Sequence, residues 1–312
     1  MGKFGGNRNF GYGKQLEFAG KQAIKDRFVS GHFASVATHS ERWAQFARWA
    51  KDHDIKDARD ITRDVIESYG RDLKAEVLED EMKVAYAQNL LSTVNVVLSQ
   101  MRSDTTMKVS PSELVGKRST VRTDPPIWMD RNKVQQIQNN LTNRGNLIEA
   151  AMAGLGRDLG LRFREASLIN PGAARREAER THKITISEGI KGGNNVRVIP
   201  ITDPRQIETL KLAELAQGNQ KNMLAEDRNY IQHRNHAYKM FYSAGGRHFH
   251  DLRAAYACDR YKQLTGHLAP VLRGENDPKP SRDLDRSARA IISEELGHHR
   301  IEVVSEYIGG RR

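Results

Sequence analysis

Apolar residues recur at helical spacing along almost the whole chain, and that rhythm breaks to strand alternation once. In "MKVAYAQNLLSTVNVVLSQM", Val84, Ala87, Leu91, Val94, Leu98 and Met101 fall at alternating steps of three and four, on one face of a helix. Ile61, Val65, Tyr69 and Leu73 repeat every fourth residue just before it, and Trp43, Phe46, Ala47 and Ala50 share a face earlier still. Thr38 and Glu41 have the spacing of a capping box, which predicts a helix start there. The exception is "HKITISEGIKGGNNVRVIPIT", where two β-rich runs flank a Gly- and Asn-rich segment, the pattern of a hairpin. The predicted fold class is mainly α: a helical domain, then a mostly helical domain with a small antiparallel sheet.

At 312 residues the chain is long enough for two domains, each with its own core. Residues 1–14 are basic and Gly-rich and read as a flexible arm, and residues 15–103 carry the first helical patterns. Residues 104–126 are polar, hold three prolines and a basic run, lack apolar periodicity and read as a linker. Residues 127–312 form the second domain, in which residues 266–288 are polar and Pro-containing and read as a surface loop.

Lys and Arg outnumber Asp and Glu by 50 to 39, a formal net charge of +11. That balance favours a polyanion as partner, nucleic acid ahead of membrane, because neutralising phosphates releases counterions. The single cysteine, Cys258, excludes an internal disulfide and any multi-cysteine zinc site. No apolar run is long enough to span a bilayer, and the N-terminus lacks the apolar core of a signal peptide, so a cytoplasmic setting is expected.

Five separated pieces carry chemistry. In "GLRFREA", Arg162 follows a Gly turn at the head of a helix and can offer a five-donor fork to a phosphate. In "IKGGNNVRVIPI", Lys191 sits at the predicted hairpin tip. In "HFHDLRAAYA", His250 and Arg253 project side by side at i and i+3. The closing stretch "ELGHHRIEVVSEYIGGRR" supplies His298 and Tyr307. Each piece alone has a bland reading: a solvated cation, a core histidine, a packed aromatic. A metal site built from His233, His236, His248 and His250 is the weaker alternative, since no thiols lie near.

Taken in order, Arg162, Lys191, His250, Arg253, His298 and Tyr307 resemble the catalytic domain of the tyrosine recombinases, the phage-integrase family, over roughly residues 127–312. The N-terminal helical part looks like the family's SAM-like core-binding domain. The resemblance implies a site-specific recombinase or integrase that cuts and rejoins DNA through a 3′-phosphotyrosyl link, with no metal, ATP or other cofactor. By the family's pattern Arg162 and Arg253 hold the phosphate, His250 is the base, His298 donates to the phosphate, Lys191 protonates the leaving 5′ oxygen and Tyr307 is the nucleophile. It implies double-stranded DNA as partner, a homotetramer on synapsed sites, accessory DNA-bending or directionality proteins, a C-shaped clamp on the duplex and a nucleoid location. Alanine at Arg162 or Arg253 is expected to remove cleavage and spare folding.

Three features depart from the family pattern. The interval from Arg253 to His298 is long, His299 beside His298 blurs the histidine register, and only "IGGRR" follows the tyrosine. The rival readings are a catalytically silent DNA-binding architectural or regulatory factor of the same fold, and a relaxing enzyme like the type IB topoisomerases. The presence of all six side chains opposes the first.

Overall fold

The apolar stripes close on one another in two separate cores, one in Met1–Ser119 and one in Thr120–Arg312. The computed structural model describes residues 7–29, 31–190 and 196–311. The first unit holds α1 (Leu16–Arg27), α2 (Phe33–Asp52), α3 (Arg63–Leu78), α4 (Val84–Arg102) and the short α5 (Pro111–Val115). Helix α4 is its centre: Ala87, Leu90, Leu91, Val94, Val97 and Leu98 are buried, and α1, α2, α3 and α5 all pack against it. The crossing of α1 and α2 needs Gly20, where a Cβ would lie 1.8 Å from the Trp43 indole nitrogen. That nitrogen donates to the Leu16 carbonyl (3.1 Å).

Local sequence signals misplace two boundaries here. Helix α2 starts at Phe33, so Thr38 and Glu41 lie inside it and cap nothing. The earlier turns are held by packing, with His39 against the Phe28 ring and hydrogen-bonded to Thr93 (2.9 Å). Thr62 does cap α3, accepting from the Val65 amide (3.4 Å). Within the stretch read as an arm, residues 7–14 are folded. Buried Asn9 accepts from the Ala58 amide (2.7 Å), and its own amide donates to Asp57 (2.9 Å). Residues 1–6 lie outside the described residues.

The segment 104–126 is divided between the units. Val109 and Val115 are buried in the first core, and Asn95 brackets Val109 with two backbone hydrogen bonds (2.9 and 3.1 Å). From Thr120 onward the chain belongs to the second unit.

That unit contains α6 (Arg131–Asn143), α7 (Leu147–Leu159), α8 (Phe163–Leu168), α9 (Pro171–Thr181), α10 (Pro204–Gln217), α11 (Tyr230–Ser243), α12 (His250–Thr265), α13 (Arg282–Glu295) and α14 (Ser305–Ile308). Strands β1 (Lys183–Ile186) and β2 (Arg197–Pro200) pair antiparallel with Ile184 opposite Ile199. Helix α7 is buried on nearly every side, because its Ala- and Gly-rich surface lets α6, α10 and α12 approach together. Residues 266–288 are not a surface loop throughout. Ala269 and Pro270 are buried, and α13 begins inside the stretch with Asp285 and Ala288 turned into the core. Among the described residues no helix is long and apolar enough to cross a membrane.

Candidate active site

Gly160 closes α7 in the left-handed region (φ +60°), where a Cβ would fall 2.5 Å from the Tyr256 ring. The turn delivers Arg162 to the N-cap position of α8. His250 opens α12 and Arg253 follows one turn later. His298 comes after Gly297 (φ +64°), whose Cβ would lie 2.9 Å from the Arg197 side chain. Tyr307 sits on the one-turn α14, anchored by buried Val304 and Ile308. Arg162, His250, Arg253, His298 and Tyr307 are thereby brought together from four parts of the chain. Lys191 lies outside the described residues. His299 turns outward and pairs with Glu294 (2.8 Å).

The arrangement is built on a carboxylate. Glu165 is fully buried; it accepts from the Arg162 guanidinium at Oε1 (2.7 Å) and from the Arg162 amide at Oε2 (2.8 Å). Arg197 donates to the same Oε2, and Arg253 Nη1 lies 3.7 Å from it. Arg253 also donates to the carbonyls of Gly160 and Leu296, and Arg162 Nη2 reaches the Leu296 carbonyl at 3.1 Å. Both guanidiniums therefore meet at the loop that carries His298, each with an Nη2 3.5 Å from His298 Nε2. The Tyr307 hydroxyl lies 3.0 Å from the same nitrogen. Arg253 sits 5.6 Å from the Tyr307 ring centroid, and the His250 ring is 5.3 Å from it.

His298 Nε2 thus faces three donors, so it carries the lone pair and Nδ1 the proton. Burial, then the charges of Arg253, Arg162 and Arg197, bring the His298 pKa down to about 3. His250 is lowered too, by the protein packed around its ring and by Arg253. Both imidazoles are neutral at physiological pH, each with a lone pair free on one ring nitrogen. Burial pushes Glu165 up, but the charges of Arg197, Arg253 and Arg162 and the hydrogen bond from Arg197 outweigh it and bring its pKa down to about 2. Burial and the Arg197 charge lower Arg253 to about 10, which leaves it charged.

These shifts set an acid limit. His298 favours the native state while it is neutral, and that contribution falls away as pH drops from about 6.5 towards 3. Glu165 favours it while ionised, and loses that contribution from about 4.5 towards 2. We expect the melting temperature to fall in two stages below pH 6.5, the lower one worth on the order of 3 kcal/mol. Glu165→Gln should flatten the lower stage and leave the upper, as thermal melts across pH would reveal; a full lower stage in the variant would refute this assignment.

Arg197 is the residue that motif reasoning missed. It is 2 % exposed on β2, shares the inward parity of Ile199, and also donates to the Glu295 carbonyl. A charged residue in step with the buried side of a strand was the available signal. His233, His236, His248 and His250 do not gather, and among the described residues no three His, Cys, Asp or Glu side chains could hold a metal ion.

Three basic side chains thus gather around a buried glutamate, beside two histidines and a tyrosine. Residues 118–259 match the family model described as Integrase, and over that stretch the chain is similar to the tyrosine-type recombinases. The match takes in Arg162, Lys191, His250 and Arg253, and ends before His298 and Tyr307, which only the fold adds to the site. A crystal structure of XerA recombinase aligns over 94 % of this chain and 92 % of that one, at 12 % identity and a TM-score of 0.36. No curated protein matches the chain.

Proposed function

We propose that this chain is a site-specific DNA recombinase that breaks and rejoins strands through a 3′-phosphotyrosyl link at Tyr307. The observation that carries the reading is the Tyr307 hydroxyl, 3.0 Å from a neutral His298 whose Nε2 is also approached by Arg162 and Arg253. A phosphodiester entering here meets two guanidiniums that can grip its non-bridging oxygens as charge builds in the transition state. Oη of Tyr307 attacks phosphorus and the bond to the 5′ oxygen breaks. The phenol proton passes to an imidazole, and the leaving oxygen takes one from Lys191. One phosphodiester replaces another, so the bond energy is kept and strands can be rejoined without ATP.

The family pattern gives the base to His250. The hydrogen bond favours His298 as first acceptor, once the anionic phosphate offsets the arginine charges that hold its pKa down, with His250 as the second imidazole beside the ring. Once protonated, His298 can donate to the phosphate, the role the family pattern gives it. Exchange between two duplexes cuts four strands, and each chain holds its tyrosine in its own site. That stoichiometry supports a homotetramer on synapsed DNA, acting where DNA is, in the cytoplasm, with bending or directionality proteins as further partners.

The test uses duplex DNA from the ends of the segment that carries the gene, nicked near the crossover. We expect an adduct that survives denaturation and forms in the presence of a chelator. His298→Gln should slow it by about 10²–10⁴-fold and His250→Gln by less. Bound DNA with no adduct would favour the silent DNA-binding factor. A larger loss in His250→Gln than in His298→Gln would return the base role to His250.

A further inference from the structure

Helix α14 has four residues, too few to hold a helical turn in place by themselves, so contacts from outside fix where Tyr307 points. One side chain supplies contacts at both ends of the helix. Arg289 of α13 is 5 % exposed and spends each of its nitrogens on a different task. Nε donates to both oxygens of Asp285 (3.1 Å each), one turn earlier on the same helix. Nη1 donates to the Ser305 hydroxyl (3.2 Å), at the first residue of α14. Nη2 donates to the Gly309 carbonyl (3.1 Å), just past its last residue. Asp285 is buried as well and accepts from the Tyr261 hydroxyl of α12 (2.6 Å), so the guanidinium is oriented from two helices.

Building on the strand-transfer reading above, we propose that Arg289 is a positioning residue for Tyr307, holding both ends of the helix that carries the nucleophile. It touches neither substrate nor reacting atoms. Its planar fork can reach both ends at once, whereas an ammonium could reach one. A pair that served only to join α13 to the tail would not need its two remaining donors divided between the two ends of α14. The backbone amide of Arg122 adds a third hold, donating to the Ser305 carbonyl (2.9 Å).

The experiment compares wild type, Arg289→Gln, Arg289→Lys and Ser305→Ala on the nicked duplex. It measures single-turnover adduct formation per folded molecule, DNA affinity and amide hydrogen exchange over residues 301–310. Arg289→Gln should slow adduct formation by about 10–100-fold at saturating DNA, as expected of a nucleophile displaced by an ångström. Its DNA affinity should stay within about twofold, because the phosphate contacts are untouched. Exchange at 305–309 should quicken, Arg289→Lys should recover part of the rate, and Ser305→Ala, which removes one contact and strands no charge, should give a milder loss. Wild-type adduct formation per folded molecule in Arg289→Gln, or unchanged exchange at 305–309, overturns the assignment. Failure of the wild type to form an adduct on bound DNA overturns the strand-transfer reading instead, and the exchange data still decide whether Arg289 holds α14.

Discussion

Tyr307→Phe forms no covalent adduct with nicked duplex, a loss of more than about 10⁴-fold, because the variant lacks the atom that attacks. Little else should change. The ring is 3 % exposed and packs beside His250 and His298 and under Arg253, and phenylalanine keeps that packing. The lost hydrogen bond to His298 costs about 1 kcal/mol at most. DNA affinity comes from many charged contacts to phosphates, none of which the neutral phenol makes, so a gel shift should move by no more than about twofold. The neighbouring phenols cannot take over. Tyr256 donates to Glu295 (3.0 Å) and Tyr261 to Asp285 (2.6 Å), and burial together with those carboxylates raises both pKa values. An adduct persisting in Tyr307→Phe would place the nucleophile elsewhere and dissolve the proposed site.

The sequence shows the site better than it shows what supports it. The candidates Arg162, His250, Arg253, His298 and Tyr307 could be picked out from local spacing: Arg162 after the Gly160 turn, His250 and Arg253 at i and i+3, and His298 after Leu296-Gly297. Glu165 and Arg197 organise the guanidiniums, yet in the sequence they are two charges thirty-two positions apart with nothing to tie them. Their pairing exists only once β2 lies against the start of α8. The same holds for 266–288. Its polarity suggested a loop, but Asp285 and Arg289 satisfy each other on the inward face of α13, which hides the apolar rhythm of its first turns. The Thr38–Glu41 box failed for the opposite reason. It is a sound local signal, overridden by packing that carries the helix six residues further back, from Thr38 as N-cap to His32. Fold class was readable because it rests on repeated apolar spacing, which packing reinforces along every helix.

Arg253→Ala should lose cleavage and stability together, whereas Arg162→Ala should lose cleavage alone, in place of the sequence-based expectation that both fold normally. Arg253 is 1 % exposed and donates to two buried carbonyls, those of Gly160 and Leu296. Alanine leaves both oxygens without that donor, opens a cavity and removes one of three cations around Glu165. Truncating one member of a buried charge network costs about 3–5 kcal/mol. The Arg162 side chain is 19 % exposed, so water can replace much of what it donates, and a cost of about 1 kcal/mol is expected. In catalysis the two should look alike. Each removes a fork that would meet the charge developing on the non-bridging oxygens, a loss of at least about 10²–10³-fold in adduct formation. Arg253→Lys keeps the positive charge but cannot reach both carbonyls at once, so it should regain more stability than activity. Denaturant melts beside single-turnover adduct rates decide the matter. If Arg253→Ala unfolds at the wild-type midpoint, the two carbonyls and Glu165 are satisfied without it and the network has been misread. If Arg162→Ala cleaves at the wild-type rate, its guanidinium serves Glu165 and the His298 loop, and the phosphate is gripped by other cations.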